Sequence, residues 1–163
     1  MSGKAAPAAQ PVELRNLVRP GLIFPNLAAT DRWAVLRELA DLVAETGMVG
    51  DAEALCEKLR EREELGSTAT GGGVAIPHCK LAGLEHVVVA VGVCPEGIDF
   101  GGAEGELVKL FFLLLSPEEA PAAHLQSLAA ISRWVKKECP CDRLFSAGDP
   151  DLLFQLLQGD SVG

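Results

Sequence analysis

Tyrosine is absent from this sequence, and tryptophan, methionine and histidine are scarce, with two, two and three copies. Any chemistry near neutral pH that needs an imidazole therefore has three candidates, His78, His86 and His124. Long apolar runs are missing too: the longest, Val87–Cys94 and Leu110–Leu115, fall far short of the roughly 18–20 residues that span a bilayer. The start, Met1-Ser2-Gly3-Lys4-Ala5-Ala6-Pro7, has no apolar core of a secretory signal. Positive charge is in deficit, 14 basic against 23 acidic side chains for a formal net charge of −9. Such a surface repels phosphate backbones and anionic lipid, which excludes nucleic acid and membrane insertion as first readings. The five cysteines form an odd set without disulfide spacing, so a reducing cytoplasm is the expected compartment.

What is present suits one folded domain. A chain of 163 residues with 48% hydrophobic side chains can bury about 68–70 % of its unfolded surface and needs neither disulfide nor metal to fold. The expected division is a flexible tail over 1–11, a domain over 12–159 and a short C-terminal tail over 160–163. Val12–Leu22 lacks strong periodicity and is expected to be an edge segment. Thr30 is the expected N-cap of a helix over 31–45, with Trp33, Leu36, Leu39, Ala40 and Val43 on one face and Gly47 as the stop. Asp51 caps a second helix over 52–64, with Ala52, Leu55, Cys56 and Leu59 inside.

Small residues then dominate from Leu65 to Gly73, followed by a short strand Val74-Ala75-Ile76 and a loop after Pro77, which has no N–H for a ladder. Val87–Val93 and Leu107–Leu115 have the composition of strands covered on both faces, and Ile98-Asp99-Phe100 adds a short one. Helical spacing over 121–137 places Leu125, Leu128, Ala129, Ser132 and Val135 on the inner face. Asp149-Pro150 opens a final helix over 150–158. The fold class is α/β, a single domain with a small mixed sheet of about five strands and helices on both faces.

His78 directly follows Pro77 at the end of an apolar strand, where a side chain can be presented in a cleft. His124 falls in the first turn of the third long helix, where free N–H groups and the helix dipole favour an anion. His86 is expected on the surface. Gly71-Gly72-Gly73 runs into a strand and has no following Lys-Ser/Thr, which excludes a nucleotide loop; Ser67 and Thr68 still offer hydroxyl and backbone donors to a transient oxyanion. A zinc site from His78, Cys79, Cys139 and Cys141 has no known strong spacing. A serine hydrolase is excluded by the absence of a G-x-S-x-G elbow.

The string Arg62-Glu63-Glu64-Leu65-Gly66-Ser67-Thr68-Ala69-Thr70-Gly71-Gly72-Gly73-Val74-Ala75-Ile76-Pro77-His78 resembles the active-site signature of the phosphotransferase-system enzyme IIA domains of the fructose/mannitol class (type 2). The nitrogen-regulatory branch is the most similar. The likeness runs from about residue 18 to 157. It implies a phosphocarrier in which His78 accepts a phosphoryl group from a phosphorylated HPr-like protein. It further implies that His124 stabilises the transferring group, that Arg62 neutralises its charge, and that Ser67 and Thr68 bind phosphate, with no metal or other cofactor. Downstream, the resemblance implies either regulation of target proteins by phosphorylation state or, as the alternative, donation to a sugar-specific IIB domain. A binding-only regulatory module is a third possibility, which the presence of His78, Arg62 and His124 together disfavours.

Overall fold

The computed structural model describes residues 11–102, 105–138 and 142–159. The tails over 1–10 and 160–163, together with Cys139 and Cys141 and the zinc site weighed for them, lie outside the described residues.

One strand organises the domain. β6 (Leu107–Pro117) runs through the middle of a six-stranded mixed sheet of order β1-β5-β6-β3-β2. On one side it pairs antiparallel with β5 (Val88–Asp99), which carries the two-residue β1 (Ile23–Phe24) on its outer edge. On the other side it pairs parallel first with β3 (Val74–Ala75) and then with β4 (His78–Leu81). β2 (Ala69–Gly71) closes that edge as a hairpin with β3. Alternate side chains of β6 feed two cores: Phe111, Leu113 and Leu115 pack under α1 (Arg32–Glu45) and α2 (Ala52–Glu64), while Leu110, Phe112 and Leu114 pack under α3 (Pro121–Glu138) and α5 (Pro150–Leu157). A short helix, α4 (Asp142–Phe145), adds Leu144 to the second core. The period of two that defines a strand is thus what puts helices on both faces.

The expected α/β class holds, and several local expectations are corrected. Residues 12–22 form two 3₁₀ turns, Leu14–Asn16 and Pro20–Leu22, and the edge strand begins only at Ile23. Asp31, not Thr30, caps α1, its carboxylate accepting from the Ala34 N–H at 2.9 Å. Asp51 caps α2 as expected, accepting from Ala54. The glycine run is ordered: Gly72 and Gly73, both at positive φ, are the two central residues of the β2–β3 hairpin, whose turn demands that conformation twice. Ile98 and Asp99 extend β5 and form no separate strand. The chain does not leave the sheet after Pro77, because the Pro77 carbonyl still accepts from the Leu114 N–H at 2.9 Å and β4 resumes the pairing to β6.

The inner face of α3 is also shifted. Its buried residues are His124, Ser127, Ala130, Ile131 and Val135, and of the expected stripe Leu125 is 66% exposed. Adjacent helical positions differ by about 100° around the axis, so burying His124 turns Leu125 to solvent. A hydrophobic pattern does not register a buried histidine, which is why periodicity alone pointed elsewhere. Ile131→Ala is expected to destabilise the domain by about 2–5 kcal/mol through the cavity it leaves, whereas Leu125→Ala is expected to stay within about 0.5 kcal/mol of the parent. Urea unfolding of both variants measures this, and comparable losses would restore the original stripe.

Candidate active site

At the start of β4 the His78 main chain is fixed opposite Leu114 of β6. The ring is fixed by two further contacts. Nδ1 lies 2.7 Å from the Ile76 carbonyl oxygen, two residues back across Pro77. A carbonyl only accepts, so Nδ1 carries the hydrogen and Nε2 keeps its lone pair. The second contact agrees: the Arg62 Nε–H donates to Nε2 at 3.3 Å. Arg62 stands in the last turn of α2 and is itself held by Nη1 donating to the Gly66 carbonyl at 2.9 Å.

His124 reaches the same place from α3. Its ring centroid is 5.4 Å from that of His78 at an interplanar angle of 56°. Its Nδ1 lies 2.7 Å from Oγ of Ser116, a fully buried hydroxyl near the end of β6. That contact occupies one ring nitrogen and leaves Nε2 as the other. The two rings line an open cleft of about 600 Å³ with Lys58, Glu61, Arg62, Leu65, Cys79, Lys80 and Glu118. Three cationic side chains against two carboxylates make it a cationic spot on an acidic protein.

Both imidazoles are held below the ordinary histidine value. For His78 the main cause is burial, with the Arg62 charge adding to it and the Ile76 carbonyl and Glu63 opposing. For His124 burial again leads, followed by the charges of His78 and Lys80. Both are therefore neutral near pH 7. Cys79, beside His78, has its thiol pushed up to about 12, chiefly by burial, with Lys58 opposing. It remains protonated, and so a poor nucleophile, at neutral pH.

The structure therefore brings together three of the five expected site residues, His78, His124 and Arg62. Ser67 and Thr68 do not line the cleft. The Thr68 N–H and hydroxyl both donate to the buried carboxylate of Glu63, at 2.8 and 2.7 Å, while the Ser67 hydroxyl donates to the Phe100 carbonyl at 2.8 Å and accepts from the Ala69 N–H at 3.1 Å. The Thr68 bonds tie the loop after α2 back onto the helix end at Glu63, and the Ser67 bond ties it to Phe100 just after β5, which together fix the Gly66 carbonyl that Arg62 holds. The pair braces the arginine. His86 is exposed and stands outside the cleft. Sequence reasoning passed over Ser116, which has no motif around it, and Glu63, which in the quoted string is one acid among several. Among the described residues no group of three or more His, Cys, Asp or Glu side chains is arranged to hold a metal ion.

Comparison with known proteins gives a consistent result. The family model described as "Phosphoenolpyruvate-dependent sugar phosphotransferase system, EIIA 2" matches residues 16–159. A nitrogen regulatory protein of Pseudomonas aeruginosa is 36% identical over 146 residues, covering 90% of this chain and 95% of that protein. One from Bradyrhizobium diazoefficiens is 39% identical over 145 residues, covering 88% and 94%. The crystal structure of the nitrogen regulatory protein IIA-Ntr from Neisseria meningitidis superimposes with a TM-score of 0.77 at 26% identity, over 88% of this chain and 97% of that one.

Two outcomes are expected. Ring ¹⁵N spectra should show His78 as the Nδ1–H tautomer, with His78 and His124 both protonating below the ordinary value of about 6.5. Because the unfolded chain takes up those protons first, stability is complete above about pH 6.5 and falls as the pH drops below it; titration midpoints at or above the ordinary value would contradict the burial argument. Replacement of Ser116 by Ala should change the tautomer balance of His124 in the same spectra while leaving His78 as it was.

Proposed function

The chain belongs to the EIIA 2 family of the phosphoenolpyruvate-dependent sugar phosphotransferase system, whose members are phosphotransfer components, and from that premise we propose that His78 Nε2 is the atom that carries the phosphoryl group. The observation that supports this most directly is the fixed tautomer: a lone pair on Nε2, at the cleft, with a guanidinium beside it. We place the phosphocarrier domain at residues 12–159.

Phosphoryl transfer asks a protein mainly for in-line positioning and for positive or donor groups around the phosphoryl oxygens. A phosphorylated HPr-like protein presents its phosphohistidine at the cleft mouth. The Nε2 lone pair of His78 forms the new N–P bond as the donor's N–P bond breaks, and that electron pair returns to the donor's ring nitrogen. The His78 ring gains positive character, which the Nδ1–H bond to the Ile76 carbonyl disperses. Arg62 exchanges its contact with Nε2 for the phosphoryl oxygens while Nη1 stays on Gly66; its fork suits two oxygens and its charge does not titrate away. His124 Nε2 adds a further contact from the other wall. The protonated Cys79 thiol does not compete for the group. Leu65, 85% exposed at the cleft, and Leu125, next to His124, offer apolar surface to a docking protein.

We further propose that the output is regulatory, through proteins that distinguish the phosphorylated from the unphosphorylated form, because nitrogen regulatory proteins match this chain over nearly their whole length. No helix among the described residues is long and apolar enough to cross a membrane, and we place the protein in the cytoplasm with its donor. Phosphorylated HPr-type protein should load one acid-labile phosphoryl group, and His78→Ala should abolish it. Arg62→Lys and His124→Ala should each slow loading on the order of 10²-fold with unchanged circular dichroism. Full loading of His78→Ala would remove the assignment.

A further inference from the structure

Beyond Arg62, His78 and His124, the cleft holds a cation to which neither the motif nor the helix pattern assigns a role. Lys58 lies one turn before Arg62 on α2, so the two side chains leave the same helix face, and both line the cleft. Its Nζ sits 3.8 Å from Oε2 of Glu118, with the two side chains 43% and 50% exposed. The Glu118 backbone is fixed on the opposite wall, where its N–H donates to the Leu81 carbonyl at the end of β4 at 3.2 Å. The ion pair therefore spans the cleft that contains the His78 ring. Lys58 also acts on the neighbouring position, since its charge pulls the Cys79 thiol downward against burial.

We propose that Lys58 is an additional phosphate-binding residue, held on Glu118 while His78 is empty and transferred to the phosphoryl oxygens when His78 is loaded. This rests on the phosphocarrier reading above. Half-exposed pairs at such a separation are weak, whereas a phosphoryl group brings roughly −1.5 to −2 charges and three strong acceptors. The long flexible stem of lysine allows the exchange without moving α2. Loading also repels the Glu118 carboxylate, which loses its partner at the cleft mouth. Phosphorylation then changes two charges at the docking surface besides the one it adds: a cation is drawn inward and an anion is released outward. A partner contacting Glu118 distinguishes the two forms by that anion.

The test uses the full chain loaded by a small phosphoramidate, with ammonia as the leaving group, so that no protein donor is involved. Phosphohistidine lifetime is followed by ³¹P NMR, and the Lys58 side-chain resonances, assigned from the Lys58→Gln spectrum, are compared before and after loading. Lys58→Gln is expected to shorten the lifetime roughly two- to five-fold, Lys58→Arg to restore most of it, and Glu118→Gln, which frees Lys58, to lengthen it. The wild-type Lys58 resonances should shift on loading. A mere structural brace would make Lys58→Gln and Glu118→Gln change the lifetime in the same direction, and that result overturns the proposal. So does a Lys58→Gln lifetime equal to wild type, which would leave the phosphocarrier reading standing. Wild-type protein that takes no phosphoryl group on His78 from either the phosphoramidate or a phosphorylated HPr-type protein removes both.

Discussion

The hydrogen bond from His78 Nδ1–H to the Ile76 carbonyl, bridging a proline, decides what the cleft can do. Pro77 has no N–H and breaks the ladder beside β6 for one step, yet its own carbonyl still receives the Leu114 N–H. The chain therefore stays on the sheet on both sides of the break, and the Ile76 carbonyl accepts from a side chain. One ring nitrogen is protonated as a consequence, the other carries a lone pair, and Arg62 meets that lone pair from α2. A histidine free to rotate or to exchange tautomers would present a nucleophilic nitrogen at the cleft only part of the time.

The surroundings reinforce that choice. Burial and nearby cations hold both imidazoles neutral, so on the proposed reading the His78 lone pair is available and the charge of a phosphoryl group falls to other groups to neutralise. Arg62, Lys58 and Lys80 are the cationic side chains that line the cleft of this protein with a net charge of −9. The buried Glu63 carboxylate turns inward to the two donors of Thr68, so it braces the arginine without standing in the phosphate's place. Of the residues that resemble phosphate ligands in the signature, Thr68 holds the loop against the end of α2 and Ser67 holds it to Phe100 just after β5.

Much of the fold was legible because Val88–Cys94 of β5 and Leu110–Leu115 of β6 are unbroken runs without a charge and because Asp51 and Asp149 stand where helices begin. The His78–Arg62 relation was legible through one contiguous string. The face of α3 was not, since His124 and Ser127 are buried polar residues and His124 is held by Ser116 of β6. Nor was β4, because a proline in sequence signals an end, and only the neighbouring strand reveals that its carbonyl is still paired.

By itself the sequence determined the apolar strands β5 and β6, the Asp51 and Asp149 caps and the presence of an imidazole after a proline, all of which are local and depend on residue type and spacing. Tertiary structure alone decided which nitrogen of His78 is free, that Ser116 holds His124, and that Lys58 and Glu118 face each other across a cleft. Those relations depend on side-chain placement that residue type and spacing leave open, because a ring nitrogen's role is set by the group that packing brings within 3 Å of it, and Lys58 and Glu118 meet only because the fold joins segments 60 residues apart.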